Sequence, residues 1–243
     1  RGLGDVYKRQ VYNQALERGV ATYVPRLFNK VHTGIDCPVK RAVSPEVICR
    51  LMTDRKPLPG KLAFSRDLFV LLFLLRGMPF VDLAFLRRCD LQGNVITYHR
   101  RKTSRKLTVV VGKEAMEIIQ KYMYAIPDSP YLFPIIQNPG KDEYGQYARM
   151  LRLQNYRLTQ VANILGIRDR LSTYTARHTW ATTALRQNYN SSLICDAMGH
   201  SSVKVTETYF QPYRDDEVNR MNSSLITYIL SKKKRGTDKK IRS

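Results

Sequence analysis

"MGHSSVKVTETYF", residues 198–210, closes one apolar segment with a glycine and a histidine and sets a tyrosine on the next, nine residues after the histidine. Gly199 reads as the stop of a helix over 192–198, because a residue without Cβ adopts the left-handed backbone that ends helices at little cost. Ser201 or Ser202 then offers a hydroxyl to cap a second helix over 202–210. The chain has fifteen tyrosines, and most must serve as ordinary aromatic side chains with a buried ring and a wet hydroxyl. Any chemistry at Tyr209 therefore has to be argued from the rest of the chain.

Outward from this stretch, helical patterns occupy 113–124, 145–165, 175–188 and 215–231. "VITYHRRK" (95–102) and "LTVVV" (107–111) are rich in β-branched residues and are joined through "TSR", which reads as a β-hairpin; "QGN" (92–94) is a turn before it. Ser44 followed by Pro45 starts a helix, with a capping hydroxyl and then a proline where no amide donor is needed. A second helix is expected from about Ala63 to Arg76 and a third around Val81–Arg88. The fold class is mainly α with a small antiparallel sheet, an α+β body.

Residues 1–10 stand apart. "DVYKRQ", Asp5–Gln10, equals the in-frame translation of GATGTGTATAAGAGACAG, a common sequencing-library adapter end, so 1–10 reads as an artefact outside the fold. Residues 11–43 read as the end of a truncated upstream domain, "VYNQALERGV", followed by a linker broken by Pro25, Gly34 and Pro38. Residues 44–231 form the main domain, and 232–243 a basic tail.

Composition narrows the function. Forty-one Lys and Arg against twenty acids give a net charge of +21. The tail "KKKRGTDKKIRS" has seven positive charges and one negative, so setting it aside still leaves +15 on the rest. A compact body with that excess repels itself unless a polyanion neutralises it, and nucleic acid is the usual one. The longest apolar run, "LFVLLFLL" at 68–75, is far shorter than the ~20 residues of a membrane span. Cys37, Cys49, Cys89 and Cys195 are scattered, which suggests neither disulfides nor zinc and fits a reducing cytoplasm. There is no HExxH, no acidic pair spaced for two metals and no phosphate-binding glycine loop. Phosphate chemistry here would run on side chains, with neither metal nor cofactor.

Five further positions stand out. Arg76 ends the most apolar helix, where a guanidinium is costly unless it meets an anion. Lys102 sits at the hairpin tip. Arg177, in "TYTARHTWATTAL", follows Tyr174 by one turn, so the two share a face. His200 precedes the helix that carries Tyr209. Each has an ordinary reading: Arg76 can snorkel, Lys102 can be a solvated turn charge, and His200 can cap a helix end. Their order and spacing say more than any one of them.

In that order the set resembles the tyrosine recombinase (phage-type integrase) family, whose pattern is an Arg, a hairpin Lys, H-x-x-R, G-[HW] and a Tyr about nine residues on. "VDLAFL" after Arg76, "RHTWAT" from Arg177 and "MGHSSVKVTETY" before the nucleophile match as well, and the resemblance spans roughly Val11–Leu230. It implies a DNA strand cleavage and rejoining enzyme with catalytic residues Arg76, Lys102, Tyr174, Arg177 and His200 and with Tyr209 as nucleophile. It further implies double-stranded DNA as partner, self-association into a tetramer on DNA, no membrane or small-molecule substrate, and a prokaryotic cytoplasm, on the nucleoid when DNA-bound. A mobile genetic element is the implied source.

Two departures from the pattern matter. Tyr174 stands where the family has His; a phenol donates a hydrogen bond but, with a pKa of ~10, is a poor base at neutral pH. His178 lies about 100° around the helix from Arg177 and is not expected to substitute. "RGMPFVDLAFL" also places about one turn more than usual between the arginine and the apolar helix. Two other functions compete. "LICDAMGHSSVKVTETYF" has the look of the helix-turn-helix of a non-catalytic regulator, but such a motif needs none of Arg76, Lys102 and Arg177. A type IB topoisomerase would share the cleavage chemistry. The amphipathic tail (Val218, Met221, Leu225, Ile229) favours subunit exchange over relaxation of DNA alone, although packing on its own domain explains it equally.

Overall fold

The computed structural model describes residues 11–24, 27, 42–54, 56–207 and 219–227. They fall into two compact units, one within Arg1–Val39 and one within Lys40–Ser243. In the first, residues 11–17 are helical (α1). The Tyr12 hydroxyl fastens the following turn, donating to the Thr22 carbonyl at 3.1 Å and accepting from the Val24 amide at 2.7 Å.

The second unit runs α2 (Pro45–Thr53), α3 (Gly60–Leu74), α4 (Phe80–Ala84), β1 (Leu91–Gln92), β2 (Val95–His99), β3 (Lys106–Val110), α5 (Lys113–Tyr122), α6 (Glu143–Leu165), α7 (Thr173–Arg186), α8 (Ser191–Met198) and α9 (Val203–Glu207). Residues 219–227 (α10) are helical as well. The centre is α3. Its sequence leaves no polar face along 68–72, so Leu68, Phe69, Val70, Leu71 and Leu72 are all buried, as a helix apolar all round must be. Helices α2, α5, α6 and α7 pack against it. By contrast α6 is amphipathic, turning Leu158, Val161, Ala162 and Leu165 inward, and the Gln154 side-chain amide donates to the Ser65 carbonyl of α3 at 2.8 Å.

The sheet is antiparallel in the order β1-β2-β3. Register pairs Thr97 with Thr108 and His99 with Lys106, which buries Ile96 and Tyr98 on one face with the period-2 alternation of a half-buried strand. The connection is closed at its base, where the Arg100 amide donates to the Arg105 carbonyl at 2.9 Å. The mainly helical architecture with a small antiparallel sheet matches the expectation from sequence.

Several boundaries differ. Helix α3 ends at Leu74, before Arg76, because Arg76 (φ 59°) and Gly77 (φ 66°) both take left-handed backbone. The third helix is shorter than Val81–Arg88, because the chain leaves it to pair with residues 130–132: the Leu132 amide donates to Leu86 O at 2.8 Å and the Arg88 amide to Pro130 O at 2.9 Å. Two-residue β1 was not foreseen. The helix expected over 202–210 is described as Val203–Glu207, and its remainder, with Tyr209, lies outside the described residues. So do 1–10, 228–243 and most of the expected linker. On α10, Met221, Leu225 and Ile226 are exposed.

Candidate active site

Three sequence-distant segments meet at one guanidinium. Helix α7 begins in a fixed way: the Thr175 amide donates to Ser172 Oγ at 3.2 Å, the Ser172 amide donates back to Thr175 Oγ1 at 3.2 Å, and the Thr173 amide donates to Asn155 Oδ1 of α6 at 2.9 Å. This reciprocal cap sets the rotation of the helix and turns Arg177 inward, where it is 3% exposed. Arg177 Nη1 donates to the Gly77 carbonyl at 2.5 Å, and Nη2 donates to the Met198 carbonyl at 2.9 Å and meets His200 Nε2 at 2.6 Å. Gly77 makes this possible: a Cβ there would sit 3.1 Å from Arg177 Cα, on top of the strain of left-handed backbone. Arg177 therefore holds the turn that carries Arg76 against the end of α8.

A second buried guanidinium comes from the hairpin. Arg100 Nε donates to Asp82 Oδ2 at 3.3 Å, and Nη1 donates to the Met198 and Gly199 carbonyls at 3.1 and 2.7 Å. The other carboxylate oxygen of Asp82 accepts the Arg101 amide at 3.0 Å. Met198 O thus accepts from two arginines at the negative end of α8, where the helix dipole favours cations. Gly199 lets the hairpin approach so closely; a Cβ on it would lie 2.6 Å from Arg100 Cδ. Sequence reasoning missed Arg100 and Asp82. The available signals were the density of "HRRK" and an acid within the apolar "VDLAFL".

His200 is buried, with Nδ1 2.7 Å from Thr206 Oγ1. Burial first, and then the charges of Arg177, Arg100 and Lys102, push its pKa down to about 3, so the ring is neutral at pH 7. A guanidinium has no lone pair to offer, so Nε2 is the acceptor of the Arg177 bond and Nδ1 carries the proton.

Of the expected site residues, Arg177 and His200 touch. Arg76 lies on the turn that Arg177 grips and donates through Nη1 to the Thr108 carbonyl of β3 at 3.2 Å. Lys102 is exposed in the hairpin turn, close enough for its charge to act on His200. Tyr174 does not follow Arg177 inward: it is 44% exposed, with its ring edge-on to the buried His178 at 4.6 Å between centroids. Tyr209 lies outside the described residues. Among the described residues no group of three or more His, Cys, Asp or Glu could hold a metal ion, and no helix is long and apolar enough to cross a membrane.

The phage integrase family model matches residues 42–215, most of the chain. The chain belongs to the phage integrase family. Among curated proteins it is 24% identical over 232 residues to tyrosine recombinase XerC of Syntrophus aciditrophicus, covering 85% of this chain and 72% of that one. It is 26% identical over 167 residues to the XerC of Thermodesulfovibrio yellowstonii, covering 63% of this chain and about half (52%) of that one. Among solved structures, the Tn1549 transposon integrase in complex with a circular intermediate DNA superposes with a TM-score of 0.61 at 16% identity, covering 88% of this chain and 75% of that one. XerA recombinase superposes with a TM-score of 0.56 at 19% identity, over 88% of this chain and 72% of that one. These structures share the fold of this chain.

Proposed function

We propose that this chain is a site-specific DNA recombinase that cleaves and rejoins double-stranded DNA through a 3′-phosphotyrosine, with 44–231 as its catalytic domain. The observation that carries the reading is the single Arg177 guanidinium spanning Gly77, Met198 and His200, which draws three parts of the family pattern to one point. In this reading the Arg76 and Arg177 forks hold the two non-bridging oxygens of the scissile phosphate. Rigid donors aimed at the charge that grows in the transition state are worth about 10²–10³ in rate each. Tyr209 attacks phosphorus, giving up its phenolic proton to water, as the 5′-oxygen leaves with a proton from Lys102. The phosphotyrosine conserves the bond energy, so rejoining by attack of a 5′-hydroxyl needs no ATP. His200 donates to a phosphate oxygen, and the half-exposed Tyr174 donates a further hydrogen bond.

The charge of +21 supports a DNA partner. Assembly as a tetramer on DNA, a mobile genetic element as source, and a prokaryotic cytoplasm complete the proposal. The test is incubation with a suicide DNA substrate whose cleaved strand diffuses away. A covalent adduct is expected with the unaltered chain and with Tyr213→Phe, and none with Tyr209→Phe. An adduct peptide bearing the phosphate on any residue other than Tyr209 refutes the nucleophile.

A further inference from the structure

We infer that Thr206 is a positioning residue whose hydroxyl holds His200 by Nδ1 in either neutral form of the ring and so fastens α9 to the Arg177 clamp. The inference rests on the proposed role of His200 as a phosphate ligand. Thr206 is fully buried, and its hydroxyl lies 2.7 Å from His200 Nδ1. On the opposite side of the ring, Nε2 meets Arg177 Nη2 at 2.6 Å. Arginine only donates, so the structure corresponds to one form of the ring: Nδ1–H donating to Thr206, with Nε2 accepting from Arg177. That form cannot donate to a phosphate from Nε2.

The groups facing His200 keep the alternative of a charged ring closed. Arg177 comes from α7, and Arg100 and Lys102 from the hairpin end. Arg105 Nη1 donates to the His200 carbonyl at 3.2 Å, and the Cys195 thiol of α8 lies 3.8 Å from the same oxygen. With three cationic side chains acting on the ring, a second proton is disfavoured, so the ring works as a neutral donor. To donate from Nε2 it releases the Nδ1 proton to solvent and takes one up at Nε2, with no net change of charge. A hydroxyl serves both forms, since it accepts from Nδ1–H and, after turning about Cβ–Oγ, donates to the bare Nδ1. Neither a carbonyl nor an ammonium could do both. Thr206 lies on α9 three residues before Tyr209 in sequence, so the same bond ties the nucleophile's segment to the arginine clamp.

The test reads the His200 tautomer directly. The full chain, labelled with ¹⁵N, is studied without DNA by long-range ¹H–¹⁵N correlation of its four histidine rings, with His200→Gln giving the assignment. The unaltered chain and Thr206→Ser should show His200 as the Nδ1–H form. Thr206→Val, which keeps the shape and removes the hydroxyl, should leave the ring as Nδ1–H, because Arg177 still donates to Nε2, and should move the Nδ1 proton resonance upfield as its acceptor is lost. It should also cleave the suicide substrate roughly tenfold more slowly, the effect of leaving one buried donor without its acceptor, while Thr206→Ser recovers most of the rate. A role in packing alone would leave that resonance unmoved. An Nε2–H ring in the unaltered chain or in Thr206→Ser, or an unmoved Nδ1 proton in Thr206→Val, overturns the inference. If Thr206→Val fails to fold, Thr206→Ala is read in the same way. If the unaltered chain forms no adduct, the recombinase reading fails while the tautomers continue to judge Thr206.

Discussion

Two buried aspartates do different work in this molecule. Asp67 of α3 accepts from Lys121 Nζ and Tyr122 Oη of α5, both at 2.7 Å, and from its neighbour Arg66 at 2.9 Å. Asp82 of α4 accepts from Arg100 Nε at 3.3 Å and the Arg101 amide at 3.0 Å. The first set has more donors and shorter bonds, but it joins two helices at the rim of the core, and the Lys121 side chain is 52% exposed. The second pair is shut in, with side-chain exposures of 7% and 1%, and its arginine goes on to hold the carbonyls before His200. What separates them is where the donor's other bonds lead. A carboxylate that ties helix to helix supports stability alone, whereas one that fixes a guanidinium at a functional turn also sets the site.

The sharpest break of that comparison is Asp82→Ala. Removing one partner leaves a buried charge uncompensated, so stability should fall by about 3–5 kcal/mol. Cleavage of a suicide substrate by the remaining folded protein should drop with it, because the hairpin and Lys102 lose their anchor. Urea titration and adduct yield per folded molecule measure the two effects. Intact cleavage in the folded fraction would show that Asp82 is no different in kind from Asp67.

Asp67→Asn should be milder, about 1–2 kcal/mol, with cleavage per folded molecule unchanged. Its effect should also depend on pH. Burial by itself would raise the Asp67 pKa, but the hydrogen bonds from Lys121, Tyr122 and Arg66 outweigh it and hold the carboxyl below its ordinary value. The unfolded chain therefore takes up its proton first. The stabilisation is complete above the ordinary carboxylate range and is lost as pH falls through the lowered value. Unfolding curves of parent and variant should converge in acid and separate towards neutral pH. A gap of constant size would exclude ionisation as the cause.

The smallest effect belongs to Arg105 and Asp196. They pair at 3.0 Å with side chains 42% and 66% exposed, and solvent screens such a pair to less than about 1 kcal/mol. Asp196→Asn should leave the unfolding midpoint almost where it was. A large shift would mean that the hairpin depends on this outer contact as well as on Asp82.

The sequence disclosed the helices with strong apolar periodicity and the hairpin with its β-branched run, because those signals are local. It did not disclose that Arg100, rather than either neighbour in "HRRK", turns inward. That depends on how the hairpin end folds over α8, a contact 99 residues away. Nor did it disclose that Tyr174 and Arg177 part company. Three residues on a helix stand about 60° apart, near enough to share a face on paper, but here the edge of the packed surface falls between them. Arg76 was expected at a helix end, and the left-handed backbone that places it beyond that end is stabilised by tertiary packing of Gly77 on Arg177. Tyr209 was singled out by its spacing to His200, and it lies outside the described residues.

The double use of the Met198 carbonyl has a consequence for how the molecule comes into being. Arg177 closes on Gly77 across 100 residues of chain and Arg100 on Gly199 across 99. Contacts so far apart in sequence form only after a large loss of chain entropy. During synthesis, α3 and the hairpin leave the ribosome long before the acceptor at the end of α8 exists. Until residue 198 has emerged, the hairpin arginine has no Met198 or Gly199 carbonyl to grip, and the turn at Gly77, which Arg177 can already reach, is not yet joined to α8. The candidate site is thus completed late in the assembly of the domain, and a chain stopped short of α8 holds most of the core without it.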